Sequence, residues 1–289
     1  MNYELIEKEP MSKHTTFRTG GNCSRYFKIY NRDGLLEVMN VCNQSGEKPL
    51  VIGNGSNLLI SDAGIDVPVI DLKNAFDEIR VDGNRLYAGA GAVLSKVSMT
   101  AYDNSLSGLE FAFGIPGTVG GAVYMNAGAY NGEIKDVTVT VDIFKNGKFI
   151  TVSADEMEFS YRHSKAMEDD SIILGVTFEL NSKDKVDIKN MMDDFTERRK
   201  SKQPLEYPSA GSTFKRPQGF FAGKLIMDSG LSGKRIGGAM VSPKHCGFII
   251  NYENATSRDI YDLIRYVQDE VFDKFEVRLE TEVKLIGEF

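Results

Sequence analysis

FGIPGTVGGAVYMNAGAY, residues 113–130, places Gly114, Gly117, Gly120, Gly121 and Gly128 around Pro116, with mostly small or apolar residues between them. Glycine has no Cβ, so the backbone at these points can turn through positive φ and let a ligand approach the amides closely. A peptide of this composition is suited to wrapping a phosphate or a flat cofactor, because successive N–H groups can converge on one anion. Upstream, VIGNGSNLLISDAG at Val51–Gly64 repeats the chemistry. Two such loops in one chain predict a long, multi-phosphate cofactor lying across a cleft.

The elements around these loops mix hairpins with helices. Asp33–Gly46 reads as a helix capped by Asp33 and stopped by Gly46, with Leu35, Leu36, Val38, Met39, Val41 and Cys42 as its apolar positions. Pro49–Ile52 reads as a strand feeding the first loop. Val67–Leu72, Ile79–Val81 and Leu86–Ala88 follow as strands, the last two joined at Asp82-Gly83-Asn84. Leu94–Tyr102 is helical in pattern, Val137–Phe144 and Phe149–Val152 form a hairpin across Asn146-Gly147, and Ile172–Leu180 ends the strand-rich half.

The polar run Asn181–Asp184 then marks a domain boundary. Beyond it, Asp187–Lys200, Ala222–Asp228 and Ser257–Phe275 read as helices, the last burying Ile260, Leu263, Ile264, Val267, Val271 and Phe272. Val277–Leu285 alternates, with Val277, Leu279, Thr281, Val283 and Leu285 on one side and Arg278, Glu280, Glu282 and Lys284 on the other. The expectation is an α+β chain rather than a doubly wound sheet. Its domains would be 1–182, in parts 1–72 and 73–182, and 183–289.

Composition bounds the function. At 289 residues and 42% hydrophobic content the chain can bury two cores. It has no long apolar run, and MNYELIEKEP lacks the basic-then-apolar pattern of an export signal, so no membrane insertion is expected. A net charge of −7 argues against nucleic acid, which demands a broad basic face, whereas a small phosphorylated ligand needs only a local cluster. Cys23, Cys42 and Cys246 are odd in number and far apart, and His14, His163 and His245 have no metal-pair spacing. Neither a disulfide framework, a metal site nor a Ser-His-Asp hydrolase is expected.

Several short segments carry chemistry. GNGSN at Gly53–Asn57 could turn its amides onto a diphosphate, with Ser56 and Asn57 adding side-chain bonds, or serve as a tight turn between strands. Its spacing is neither that of a Rossmann fingerprint nor of a P-loop. Arg162, in Tyr161-Arg162-His163-Ser164, could hold a carboxylate through two parallel bonds, although a surface turn is the plainer reading. Arg199 and Lys202 lie in a basic cluster closing a helix, where cations complement the dipole and could also meet phosphates. Ser212 sits on the small-residue loop Ser209–Pro217 with Lys215 and Arg216 behind it. No His-acid pair is at hand to make it a nucleophile, leaving a proton donor to a carbanion or a plain loop serine. Glu280 and Glu282 share the polar side of the last strand, facing solvent or delivering one carboxylate into a cleft.

Assembled in order, these segments resemble the UDP-N-acetylenolpyruvoylglucosamine reductase family of bacterial peptidoglycan precursor synthesis. The resemblance runs over nearly the whole chain through Thr16-Phe17-Arg18-Thr19-Gly20-Gly21, GNGSNLL, GIPGTVGGAVYMNAGAY, YRHS, SAGSTFKRP, AGKLI, GGAMVSPKHCGFIIN and LETEV. It implies an FAD-binding domain of the vanillyl-alcohol oxidase and p-cresol methylhydroxylase type plus a smaller α+β substrate-binding domain. Non-covalent FAD would be held by Gly53, Asn54, Gly55, Ser56, Asn57 and Leu58, by Gly114, Ile115, Pro116, Gly117, Thr118, Gly120, Gly121 and Ala122, and by Arg199. NADPH would be the hydride donor.

The resemblance also implies that Arg162 and Glu282 polarise the enolpyruvyl carboxyl group, that Ser212 donates a proton, and that Lys202, Arg216 and His245 contact substrate. It implies a cytoplasmic bacterial enzyme, monomeric, acting on a UDP-sugar enolpyruvyl ether. The short interval between Arg162 and Ser212 leaves no room for the tyrosine-bearing loop of the family's longer form. Met227 and Ser232 stand where the family pattern has an acidic residue and a lysine. The rival reading is an FAD-dependent oxidase of the same superfamily acting on an alcohol or sugar. Covalent flavin attachment, common there, would have only His14 in the N-terminal part.

Overall fold

The structure, a computed structural model, describes all of residues 1–289. Its contacts divide the chain into two compact units, one of Met1–Ile6, Tyr26–Asn54 and Val67–Arg199, the other of Glu7–Arg25, Gly55–Asp66 and Lys200–Phe289. These are not the contiguous stretches 1–182 and 183–289. Leu58–Ile60 pairs in parallel with Lys284–Ile286, which draws the second arm of the GNGSN loop into the C-terminal unit. The chain passes between units at Arg199, within the helix Lys185–Lys202 (α4), and not in the polar run before it. A pairing between segments this remote leaves no trace in local composition.

The first unit holds a five-stranded antiparallel sheet in the order Lys148–Ser153, Thr138–Lys145, Ile172–Glu179, Arg85–Gly89, Ile79–Asp82. Both expected hairpins are present. Lys145 pairs with Lys148 across Asn146 (φ 50°) and Gly147 (φ 75°), the left-handed pair that a two-residue hairpin turn requires. Leu86, Val141, Val176 and Phe178 bury one face of this sheet with Leu94 and Val97 of α2 (Leu94–Asp103). In the same unit Leu50–Ile52 runs parallel to Val69–Asp71, which runs parallel to Tyr26–Lys28. Helix α1 (Arg32–Ser45) packs Leu35, Val38 and Cys42 against Phe27 and Ile70. Asn31, not Asp33, caps it by accepting from the Gly34 N–H at 2.9 Å, and Gly46 ends it at φ 68°. The strand Tyr3–Pro10 was not foreseen, because YELIEKEP is too charged to show a core face.

Within the glycine-rich stretch, Val119–Tyr124 forms a short helix (α3) where an irregular loop was expected. Two glycines oppose helix formation by about 1 kcal/mol each relative to alanine. Packing overrides them. The Gly120 N–H donates to the Ala90 carbonyl at 2.8 Å, and a Cβ on Gly120 would lie 2.9 Å from that of Ala90.

In the second unit, the helices Ala222–Asp228 (α5) and Ser257–Phe275 (α6) have the boundaries read from sequence. Thr256 and Asp259 form a reciprocal capping box on α6, whose Ile260, Leu263, Ile264, Val267 and Val271 are fully buried. They share a core with Ala239, Val241 and Ile249 of a three-stranded sheet made of strands only two or three residues long, too short for periodicity to reveal. The segment 277–285 keeps its alternation, with Leu279 and Val283 buried and Glu280 exposed, but it is not one strand. Thr281 bridges Phe214 antiparallel, and Lys284–Ile286 then pairs with Leu58–Ile60, so the ladder breaks where the partner changes. No helix is long and apolar enough to cross a membrane.

Candidate active site

In the first unit, the two glycine-rich loops meet. A Cβ on Gly53 would lie 2.1 Å from Thr118 Oγ1, so only glycine allows that approach. Gly114 lies against Arg199 of α4, with an ideal Cβ 3.0 Å from Arg199 Cδ and 3.3 Å from Nη1. Arg199 makes no hydrogen bond or ion pair within the protein, and burial pushes its guanidinium below the usual range. A part-buried cation with no protein counter-charge is costly unless an anion meets it. Its place on the GIPG loop suits one phosphate of a dinucleotide.

In the second unit, Gly55 adopts φ 58°, and a Cβ there would sit 1.9 Å from the His14 carbonyl oxygen. The Thr16 N–H donates to the Gly55 carbonyl at 3.3 Å, so the TTFRTGG segment braces the loop from behind. Thr16 Oγ1 and Thr19 Oγ1 are buried with no partner inside the protein. Orphaned hydroxyls of this kind cost about 1–3 kcal/mol each unless a ligand or water completes them. Both belong to the Thr16–Gly21 motif, but sequence alone assigned their hydroxyls no role. The Asn57 side chain donates to the Glu282 carbonyl at 3.0 Å, and the main-chain carbonyl of Asn57 accepts from the Lys284 N–H at 2.9 Å. Asn57 therefore ties its loop to the C-terminal segment.

Ser212 and Glu282 come together through Thr213. The Glu282 N–H donates to the Thr213 carbonyl at 2.9 Å, and Thr213, fully buried, donates its own N–H to Gly247 and accepts from the Ile249 N–H. Ser212 itself is exposed. Lys284 lies two residues beyond Glu282; burial and the Lys215 ammonium hold it below the ordinary lysine range, while Glu282 acts the other way.

The Arg216 guanidinium carbon sits 3.9 Å over the Phe221 ring, and its Nε donates to the Phe220 carbonyl at 3.3 Å. His245 accepts the Gly247 N–H on Nδ1 at 3.1 Å, and burial pushes its imidazole below the usual range. The neutral ring then carries its proton on Nε2 as a donor. Lys202 is exposed at the end of α4, and Met227 and Ser232 are also on the surface.

Arg162, in the first unit, has left-handed backbone (φ 56°) within a turn closed by Ser160 and His163. Its Nη2 donates to the Gly128 carbonyl at 3.0 Å, and its guanidinium lies 5.1 Å from the Tyr161 ring centroid. The structure thus groups Gly53 with Thr118, Gly114 with Arg199, and Arg162 with the loop after α3. It groups Gly55–Leu58 with Glu282, and Ser212 with Glu282.

Residues 24–153 match the family model described as an FAD binding domain, and residues 203–286 match that of the UDP-N-acetylenolpyruvoylglucosamine reductase C-terminal domain. The 6-hydroxy-D-nicotine oxidase of Arthrobacter nicotinovorans superposes with a TM-score of 0.50 over 63% of this chain and 43% of its own, a likeness of fold alone at 18% identity. The two family matches define an FAD-binding oxidoreductase, and its architecture is α+β.

The UDP-N-acetylenolpyruvoylglucosamine reductase of Agathobacter rectalis is 49% identical over 99% of this chain and 95% of its own length. The crystal structure of the corresponding reductase from Thermus caldophilus is 34% identical, with a TM-score of 0.86 over 99% of this chain and 100% of its own. The chain belongs to the UDP-N-acetylenolpyruvoylglucosamine reductase family.

Proposed function

We propose that this chain reduces UDP-N-acetylenolpyruvoylglucosamine to UDP-N-acetylmuramate in peptidoglycan precursor synthesis, with NADPH as donor and non-covalent FAD as carrier. The observation that carries the reading is family membership over the whole chain, with both halves matched in order. Gly53–Leu58, Gly114–Ala122 and Arg199 hold the cofactor, and the unpaired Arg199 guanidinium on the GIPG loop is the feature that fits its diphosphate. FAD, when bound, supplies hydride transfer between donor and substrate.

The protein's part is electrostatic and positional. As the methylene carbon gains hydride, negative charge grows on the enolpyruvyl carboxylate, and a preorganised guanidinium is most useful there. Arg162 meets that need, and Glu282, if protonated, hydrogen-bonds the same carboxyl group. Ser212 then gives its hydroxyl proton to the alpha carbon, completing a lactyl ether. An unperturbed serine is a poor acid, and the step is tolerable because the enolate is strongly basic. Arg216, Lys202 and the Nε2–H of His245 contact the nucleotide. On this reading the enzyme works as a cytoplasmic monomer.

The test is spectroscopic. Under anaerobic conditions NADPH should bleach the protein's flavin, and UDP-N-acetylenolpyruvoylglucosamine should restore its colour. Flavin that bleaches with an alcohol or sugar instead, or that resists extraction into acid, would favour the oxidase reading. Lys202→Ala should raise the KM for the uridine nucleotide by about tenfold or more, on the order of 1.4 kcal/mol of lost binding. An unchanged KM would leave Lys202 as a solvated helix end.

A further inference from the structure

We propose that Asn126 is a positioning residue for Arg162, setting both the backbone turn that carries the guanidinium and the carbonyl group on which it rests. The inference rests on the reading of Arg162 as the group that meets the substrate carboxylate. Asn126 follows α3 in the YMNAGAY segment and is completely buried. Its φ is 41°, a left-handed conformation that asparagine tolerates better than most side chains.

Every polar atom of its side chain is used. Nδ2 donates to the Ser160 carbonyl at 2.9 Å and to Glu133 Oε2 at 3.1 Å, and Oδ1 accepts from the Lys135 N–H at 3.0 Å. Ser160 opens the turn Ser160–His163, in which Arg162 takes its own left-handed backbone. The side chain of Asn126 therefore holds the turn, and the main-chain carbonyl of the same residue accepts from Arg162 Nη1 at 3.5 Å, beside the 3.0 Å bond from Nη2 to Gly128. The path closes on itself, from Asn126 through Ser160 and Arg162 back to Asn126.

Two residues in sparsely populated backbone conformations persist only where their surroundings over-determine them, and here each secures the other. Glu133 anchors the far side, accepting from Asn126 and pairing with the Lys135 ammonium at 2.8 Å. Gly128 completes the fit. A Cβ there would lie 2.7 Å from the Gly132 carbonyl oxygen and 3.4 Å from Arg162 Nη1. A guanidinium held this way is aimed before the substrate arrives, which is where a transition-state interaction gains most.

Asn126→Gly keeps a backbone that accepts φ 41° and removes the amide. In the FAD-loaded enzyme it should leave flavin content and NADPH bleaching within about twofold, and slow re-oxidation by the enolpyruvyl nucleotide by about tenfold or more, part of the usual cost of misplacing a reacting group. Asn126→Asp, which keeps the Lys135 bond but faces two acceptors with another acceptor, is the second variant should the glycine protein fold poorly. It should show the same selective loss. The decisive measurement is a cycle with Arg162→Ala. If Asn126 acts through Arg162, the Asn126 change should cost less than about twofold once the guanidinium is gone.

In flavin-free protein, the Arg162 Nη signals, assigned by their absence in Arg162→Ala, should show hindered rotation in the parent and averaging in Asn126→Gly. Multiplicative effects in the cycle, or equal slowing of both half-reactions, would overturn the proposal while leaving the role of Arg162 intact. An Arg162→Ala enzyme that re-oxidises at the parental rate would instead overturn the reading of Arg162, and this proposal with it.

Discussion

Ser212→Ala is expected to leave NADPH bleaching of the flavin close to the parental rate and to slow re-oxidation by the enolpyruvyl nucleotide at least ~10²-fold, the lower worth of a positioned acid. The two half-reactions make different demands. NADPH needs only access to the flavin, whereas forming the lactyl ether requires a proton at the alpha carbon. The surroundings of Ser212 make alanine a clean deletion. The side chain is exposed, while its neighbour Thr213 is buried and pinned through Gly247, Ile249 and Glu282. Losing the exposed hydroxyl therefore leaves the pinned Thr213 backbone where it was. Ser212→Cys should recover part of the rate, because a thiol is the stronger acid, ordinarily ionising near pH ~8.5. Stopped-flow absorbance separates the halves. Re-oxidation of Ser212→Ala within about threefold of the parent would remove the proton-donor role.

Gly121→Leu should have effects of opposite sign on the apoprotein and on flavin binding. Gly121 is an exposed residue of α3, and a Cβ there would meet nothing within 4 Å except Thr118 Oγ1 at 3.8 Å. The protein itself therefore does not require glycine at this point. Leucine is the better helix former by roughly 0.5–1 kcal/mol, so the flavin-free variant should melt at or slightly above the parental temperature. If the cofactor lies against this surface, the added side chain should weaken FAD binding by about tenfold or more, on the order of 1.4 kcal/mol. Calorimetry of the apoprotein and fluorescence titration with FAD give the two numbers. A variant that is stabilised and still binds FAD as the parent does would exclude Gly121 from the cofactor site. Gly55 offers no such separation. A side chain there would strike the His14 carbonyl oxygen, so Gly55→Val should damage the fold as well as any binding.

Much of the local structure was legible in the residues themselves. Asn146-Gly147 dictated a hairpin because both positions accept left-handed backbone, and Gly46 ended α1 for the same reason. The periodicity of Ile260, Leu263, Ile264, Val267 and Val271 placed α6 because a helix of this length must bury one stripe. The glycine-rich loops and the ordered run of motifs indicated an FAD-binding protein of this family, and the comparisons agree.

Other features depended on contacts between residues far apart in the chain. Helix α3 forms against glycine's propensity because Ala90 accepts the Gly120 N–H. Leu58–Ile60 joins the C-terminal unit because Lys284–Ile286 completes its pairing, and the expected nine-residue strand is cut short by that change of partner. For Arg199 the sequence left a helix-end cation and a phosphate ligand both open, and only the packing of α4 laid it, unpaired, on Gly114. Asn126 looked like one small polar residue among glycines, and only the folded chain shows its amide holding the turn that carries Arg162. Sequence determined the elements whose causes are local: turn chemistry, caps and apolar periodicity. Tertiary structure decided which backbone group each buried polar atom would meet, because burial removes water as the alternative partner and leaves only the groups that packing supplies.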